Sequence, residues 1–265
     1  MSKLEPYKVY AVQYGHHERR ASANFIGGDE HDGPMPINFF VWAVVGPKHT
    51  FVVDTGFTSA TGVRRDRTLT RPVETGLGKI GIDPATVKDV IVTHMHYDHA
   101  GNLGLFPNAR LHIQDAEVEF ATGRCMTHGA LRHALDVDDV LTLIRRNFAG
   151  QVAFHDGDEE LAPGVSVHRI GGHTKGLQSV RVWTERGWVV LASDASHFYA
   201  NMEQGRPFPI VYNVQDMLDG HRKLVSLAES PDHVIPGHDP LVRERYPKAV
   251  EGIEDIVRLD LAPKR

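Results

Sequence analysis

Cysteine is nearly missing from this chain of 265 residues: Cys125 stands alone, so no internal disulfide can form, and with no motif around it the thiol reads as a bystander. Long apolar runs are missing too. No window approaches the length needed to cross a bilayer, and the opening Met1-Ser2-Lys3-Leu4-Glu5-Pro6 has no apolar core of the secretory kind. The protein is therefore expected to be cytoplasmic, with no membrane partner. A basic excess is absent as well: 29 Lys and Arg stand against 34 Asp and Glu, a formal charge of −5. Phosphate binding wants a basic stripe, and Arg64-Arg65-Asp66-Arg67, short and mixed, reads as a solvated loop, so no nucleic-acid partner is expected. With 41% apolar and 24% charged residues and no low-complexity tract, the chain is long enough to bury a sizeable core. One α/β domain over residues 1–265 is expected.

What is present is a succession of short apolar runs broken by turn residues. Strands are expected over 7–14, 39–45 and 50–53, the last two joined by Gly46-Pro47-Lys48-His49 and closed by Asp54-Thr55-Gly56. Residues 15–36, rich in Gly, His, Asp and Pro, form a long irregular excursion, and 57–82 are loop-rich. Asp83-Pro84 has the form of a helix cap with proline at the first helical position. Further strands are expected over 87–92, 111–113, 165–170, 178–184, 188–192 and 234–235. Helices are expected over 116–122, 130–148, 215–228 and, closing the chain, 247–259.

The densest chemistry lies in Thr93-His94-Met95-His96-Tyr97-Asp98-His99-Ala100-Gly101-Asn102, directly after the apolar β-branched run that ends at Val92. Alternation along an extended chain sends His94 and His96 to one side, and the turn beyond can swing Asp98 and His99 back toward them. Most of the seventeen histidines, among them His16, His17, His31, His49 and His112, are read as surface or satisfied core residues. This cluster differs. Three imidazoles and a carboxylate packed so tightly repel one another, or stay unpaired, unless a cation sits between them. Three more ligand types stand at strand ends: His173 in Gly171-Gly172-His173-Thr174, Asp194 after Val189-Val190-Leu191-Ala192-Ser193, and His238 after Pro236-Gly237. Glycine neighbours allow close backbone approach, and a carboxylate has two oxygens with which to bridge two metals. Seven ligands suffice for two ions.

This order of motifs, with the Asp54-Thr55-Gly56 turn, resembles the metallo-β-lactamase superfamily over nearly the whole chain. The resemblance implies a four-layer αββα sandwich with the metals at one edge. His94, His96 and His173 would hold one ion, Asp98, His99 and His238 the other, and Asp194 would bridge. Among branches the chain looks most like the N-acyl homoserine lactonase-type hydrolases, through His96-Tyr97-Asp98-His99-Ala100-Gly101-Asn102, Gly172-His173-Thr174-x-Gly176-x-Gln178-Ser179 and Asp194-Ala195-Ser196. Those lactonases carry a tyrosine three residues after the bridging Asp, where it contacts the substrate carbonyl; this chain has His197, with Tyr199 two further on.

Two divalent cations sharing Asp194 lower the pKa of a water between them toward about 7, so a bridging hydroxide is the expected nucleophile, and the resemblance implies a lactone ring as its target. Asp98, or water, returns the proton to the leaving oxygen, and His197 or Tyr199 donates a hydrogen bond to the oxyanion. Zinc suits these donors, with manganese, iron or cobalt also accepted. Phe25, Ile26, Phe39 and Phe57 are the candidate apolar wall for a hydrophobic small-molecule substrate. The Phe25 loop and the stretch 116–148 are candidates for dimer or pocket walls, which leaves a homodimer open. The rivals are other hydrolases on this scaffold, acting on a thioester, ester or cyclic amide, and a non-catalytic metal-binding protein.

Overall fold

The alternation of one strand sets the layers. In the computed structural model, which describes residues 4–264, the strand Ile37–Val45 sends Phe39, Val41 and Ala43 to one face and Phe40, Trp42 and Val44 to the other, and all six are buried. A strand apolar on both faces must be covered on both. The first set packs with Leu77, Val90, Leu111 and Leu143 under helices; the second packs against Val165, Val167, Val180, Val182, Val189 and Leu191 of a second sheet. A third, smaller core joins that sheet's outer face, at Val190, Ala192 and Val234, to Leu224 of the helix Val214–Leu227. The order is helix, sheet, sheet, helix, which is the expected αββα sandwich.

The strands are β1 (Lys8–His17), β2 (Ile37–Val45), β3 (Thr50–Val53), β4 (Thr68–Leu69), β5 (Asp89–Ile91), β6 (Arg110–Gln114), β7 (Val152–His155), β8 (Glu159–Ala162), β9 (Val165–Arg169), β10 (Gln178–Thr184), β11 (Gly187–Ser193), β12 (Val234–Pro236), β13 (Lys248–Val250) and β14 (Ile253–Arg258). The larger sheet runs β13-β14-β1-β2-β3-β5-β6-β7, with β4 beside β1; the smaller runs β12-β11-β10-β9-β8. Within the first, β3, β5, β6 and β7 are parallel; within the second, only β11 and β12 are. Parallel neighbours end on the same side of a sheet, so the loops after β3 and β5, and those after β11 and β12, gather at shared edges. No helix among the described residues is long and apolar enough to cross a membrane. Residues 1–3, part of the expected signal-free amino end, lie outside the described residues.

Four expectations need correction. The closing helix over 247–259 is instead the hairpin β13–β14, turned at Gly252 with φ 73°, with β14 pairing antiparallel to β1. Ile256 goes to the helix-covered core and Val257 to the inter-sheet core, a period of two imposed by the open edge of β1 that local propensity could not reveal. The single helix over 130–148 is broken into Gly129–Arg132 and Val137–Phe148. Residues 57–82 contain helices Ser59–Arg65 and Val73–Gly78, the first capped by the Thr58 side chain on the Thr61 amide. Arg64-Arg65-Asp66-Arg67 is therefore no plain solvated loop: Arg64 and Arg65 close that helix, and Asp66, at φ 55°, is its left-handed cap.

The helix Val137–Phe148 begins with a carboxylate cluster. Burial, with Asp136 and Asp138 adding to it against Arg64 and Arg65, raises the Asp139 carboxyl to about 7. A carboxyl raised on folding stabilises the protein only while protonated, so its contribution is lost as pH rises from the ordinary range near 4 through about 7. Asp139→Asn should therefore raise stability at pH 8 by roughly 1 kcal/mol, discounted for partial exposure, or about 2–4 °C, and change little at pH 4. Thermal melts at the two pH values check this; an equal shift at both contradicts it.

Candidate metal centre

Every residue of the expected ligand set comes from the segment that follows a strand, Asp98 and His99 from the short helix Tyr97–Ala100 within it. His94, His96, Asp98 and His99 follow β5, His173 follows β9, Asp194 follows β11 and His238 follows β12. All seven are buried, Asp98 least so at 8% exposure. The structure brings them together as expected: ligand atoms of His94, His96, His173 and Asp194 lie within 4.8 Å of one another, as do those of Asp98, His99 and His238. Asp194 stands between the two groups. Its Oδ1 is 2.9 Å from His238 Nε2 and 3.2 Å from His99 Nε2, while its Oδ2 is 3.2 Å from His173 Nε2 and 3.8 Å from His94 Nε2.

The far sides of the rings are pinned by the protein. His99 Nδ1 lies 2.7 Å from Asp54 Oδ2, His173 Nδ1 2.7 Å from the Ile210 carbonyl, and His238 Nδ1 2.9 Å from the Asn38 carbonyl. Each pinned nitrogen faces an acceptor and so carries a proton, which turns Nε2 inward, where a cation would take its lone pair. The backbone is bent to suit: Asp54 and Ser193 both sit at positive φ, 62° and 50°, an unfavourable conformation for residues with a Cβ, and both touch Thr93, whose hydroxyl is 2.8 Å from each side chain. Gly237 is needed for closeness between loops; a Cβ there would lie 2.7 Å from the Ser193 carbonyl and 3.0 Å from Asp194 Oδ1.

Whether cations fit is answered by the atoms left over. His94 Nε2, His99 Nε2 and Asp194 Oδ1 are buried with no hydrogen-bond partner, and each such orphan costs on the order of 1–3 kcal/mol. Their convergence on one point, with nitrogen and carboxylate donors only, is the composition of a site for two divalent ions. Charge agrees. Burial, with the neighbouring imidazoles, pushes His94 and His96 well below the usual histidine range, keeping them in the neutral form a ligand needs. Against the cost of its burial, His197, His238, His99 and His173 hold the Asp194 carboxyl well below the usual range, so it remains a carboxylate.

The remaining expected residues divide. His197 lines the cavity beside the cluster, its Nε2 3.0 Å from Asp194 Oδ2 and its ring stacked on Phe208 at 3.6 Å. Facing a carboxylate, Nε2 is the donor and is spent on Asp194. Burial lowers His197 to about 3, so the ring is neutral. Tyr199 does not reach the site. Its ring lies in the inter-sheet core under the Arg245 guanidinium, 4.1 Å away, and its hydroxyl is buried without a partner. Tyr199→Phe should therefore change turnover by less than about twofold and leave the melting temperature level or slightly raised; a large loss of turnover on this substitution contradicts the placement.

Of the expected apolar wall, only Phe39 lines the cavity, with its ring 5.4 Å from that of His238. Phe57 stands behind it, 5.2 Å ring to ring. Phe25 is buried under Arg206, and Ile26 is 40% exposed away from the cavity wall. The rest of the wall was not foreseen: Arg19, Ile37, Arg65, Arg67, His133 and Phe208 among others enclose about 70 Å³.

A further unforeseen residue is Glu117, fully buried in the helix Asp115–Thr122. Its Oε1 accepts from the Met95 amide at 2.8 Å, and its Oε2 accepts from the Thr174 hydroxyl at 2.6 Å and the Gly176 amide at 3.1 Å. One carboxylate thus ties the loop of His94 and His96 to the loop of His173. Gly176 permits it, since a Cβ there would lie 2.0 Å from the Glu117 amide nitrogen.

Comparison with known proteins agrees with this geometry. An N-acyl homoserine lactonase of a Bacillus species is 34% identical over 133 residues, 50% of this chain and 48% of that protein. Another, from Rhizobium johnstonii, is 31% identical over 177 residues, 65% of each. The chain thus spans about half the length of the Bacillus relative it matches. A solved quorum-quenching N-acyl homoserine lactone lactonase superposes with a TM-score of 0.75 at 24% identity, over 91% of this chain and 95% of that one, a likeness of fold. Residues 36–242, which hold the whole ligand set, match the family model, and the chain belongs to the metallo-beta-lactamase superfamily.

Proposed function

We propose that the protein is a dinuclear metal-dependent hydrolase that opens a lactone ring, an acyl homoserine lactone or a related one. The observation that carries this reading is the buried Asp194 carboxylate, whose two oxygens face two separate histidine groups. The names borne by the relatives, N-acyl homoserine lactonases, support the substrate class. In this reading His94, His96 and His173 hold one ion and Asp98, His99 and His238 the other, with Asp194 shared; zinc suits the donors first, then manganese, iron or cobalt. When bound, the two cations polarise an ester carbonyl and acidify water. The protein's own part is placement and proton traffic. With the cations bound, Asp194 would serve them as a ligand, and the His197 Nε2–H that it otherwise accepts would be free to donate to the oxyanion forming beside it. Asp98, the most exposed of the seven, would take a proton from the water that adds to the carbonyl carbon and, as the ring C–O bond breaks, hand it to the departing alkoxide. Residues 1–265 act in this reading as one cytoplasmic hydrolase domain, and acyl homoserine lactone hydrolysis would quench quorum signals.

The test is a pH-indicator assay of metal-loaded protein on acyl homoserine lactones and simple γ- and δ-lactones. Ring opening is expected on at least one class, lost on dialysis against a chelator and restored by zinc or manganese. Turnover on none of these lactones contradicts the reading.

A further inference from the structure

The cavity wall carries a charge pattern that opening a neutral lactone does not use. Arg19 and Arg67 both line the cavity, beside Ile37, Phe39 and Phe208. The third arginine there, Arg65, is paired with Asp136 at 2.6 Å. Arg19 and Arg67 have no carboxylate partner among the described residues. Each is nonetheless held in place. Arg67 gives Nε to the Tyr97 hydroxyl at 3.0 Å and Nη1 to the Arg65 and Asp66 carbonyls at 2.7 and 3.0 Å. Arg19 gives Nε to Asn24 Oδ1 at 2.6 Å and Nη2 to the Ala23 carbonyl. The remaining nitrogens, Arg67 Nη2 and Arg19 Nη1, have no acceptor among the described residues. Both side chains are half-buried.

The two guanidiniums act on common neighbours. His17 Nδ1 is 3.3 Å from Arg67 Nη1, and burial together with Arg67 and Arg19 pushes that imidazole down to about 4, so it adds no counter-charge and no competing donor charge. Placing two unpaired cations side by side in a half-buried wall is unfavourable unless an anion joins them. An arginine fork oriented by its neighbours, with an end left over, is suited to a planar oxyanion.

We propose that Arg19 and Arg67 form an oxyanion subsite in the active-site wall, and that the substrate is a compact lactone bearing a carboxylate, held by these arginines while its ester faces the histidine cluster. This rests on the lactonase reading for the reaction, but not for the binding of the anion. The competing account is that both arginines only brace the turns whose carbonyls they bond. Bracing predicts lost stability on substitution, with no discrimination by substrate charge.

The experiment compares kcat/KM of the metal-loaded full chain on 5-oxotetrahydrofuran-2-carboxylate and on its carboxamide, the same ring without the charge. The wild-type ratio is expected to favour the carboxylate by about tenfold or more, to shrink in 1 M salt, and to fall by about tenfold in Arg19→Gln or Arg67→Gln. Arg67→Lys, which keeps the charge, should retain part of it. Arg222→Gln, on the exposed helix Val214–Leu227, should leave the ratio unchanged. A ratio near one, or a ratio that ignores both substitutions, overturns the proposal. Circular-dichroism melts identify a variant that fails to fold, in which case Arg67→Lys and Arg19→Gln decide. Should neither ring open, the wider lactone panel judges the lactonase reading separately, and calorimetric binding of 2-hydroxyglutarate judges the subsite: about tenfold weaker binding in Arg67→Gln upholds it, and equal binding overturns it.

Discussion

Asp194→Asn is expected to lower lactone turnover by on the order of a thousandfold or more and to reduce bound metal from two ions per chain to one or fewer. Among the described residues the carboxylate is the group whose two donor atoms face both histidine sets, Oδ1 toward His99 and His238 and Oδ2 toward His94 and His173. An amide of the same shape offers one oxygen and one NH2, so one of the two sets loses its shared ligand and meets a donor where it needs an acceptor. The charge is lost as well, from a site where burial makes each charge count. Asp194→Glu keeps the charge but moves it by a methylene, and an intermediate loss is expected. Metal content by mass spectrometry alongside kcat/KM separates the two effects. Full metal retention with full turnover in Asp194→Asn contradicts the bridging role.

Glu117→Ala should lower metal affinity and kcat/KM by roughly 10–100-fold and destabilise the protein by about 3–5 kcal/mol, although Glu117 touches neither a cation nor a substrate in this account. The substitution strips acceptors from the Met95 and Gly176 amides and the Thr174 hydroxyl, all in a dry interior, and removes a carboxylate that ties the two ligand loops together. Glu117→Gln is the sharper variant. It keeps the volume but turns an NH2 toward groups that are themselves donors, so the loops are pushed apart with little change in packing. A merely structural role predicts lowered melting temperature with unchanged metal affinity in the fraction that stays folded. A positioning role predicts weaker metal binding at a temperature where the variant is fully folded, read by competition with a coloured chelator.

The ligand set was legible because its chemistry is local: two imidazoles at alternate positions after a strand, an Asp and a His in the next turn, and three more ligand residues each at a strand end. The structure gathers those seven side chains into two adjoining groups. The two cores were legible wherever alternation was plain, as in β2. What could not be read depended on distant pairing. The last apolar run became β14 because β1 presented an open edge, not because its residues refuse a helix, although Glu251-Gly252 marked the break. The cavity wall was misread for a similar reason. Phe25 and Ile26 looked like a pocket lip from composition alone, yet Phe25 is turned inward beneath Arg206, while Arg65, at the end of its helix, and Arg67, just past the left-handed cap at Asp66, line the cavity. Glu117 left one faint trace, an acidic residue on a helix face otherwise made by Ala116, Phe120 and Ala121. A charge on an apolar face is buried only with partners, and those partners were out of sight in the sequence.

The most direct measurement is anomalous diffraction at a metal absorption edge from crystals of the protein reconstituted with zinc or manganese. Two peaks, about 3.5–4 Å apart and straddling the Asp194 carboxylate, one among His94, His96 and His173 and the other among Asp98, His99 and His238, are the expected result. A single peak, peaks elsewhere in the molecule, or none after reconstitution would contradict the account from its foundation.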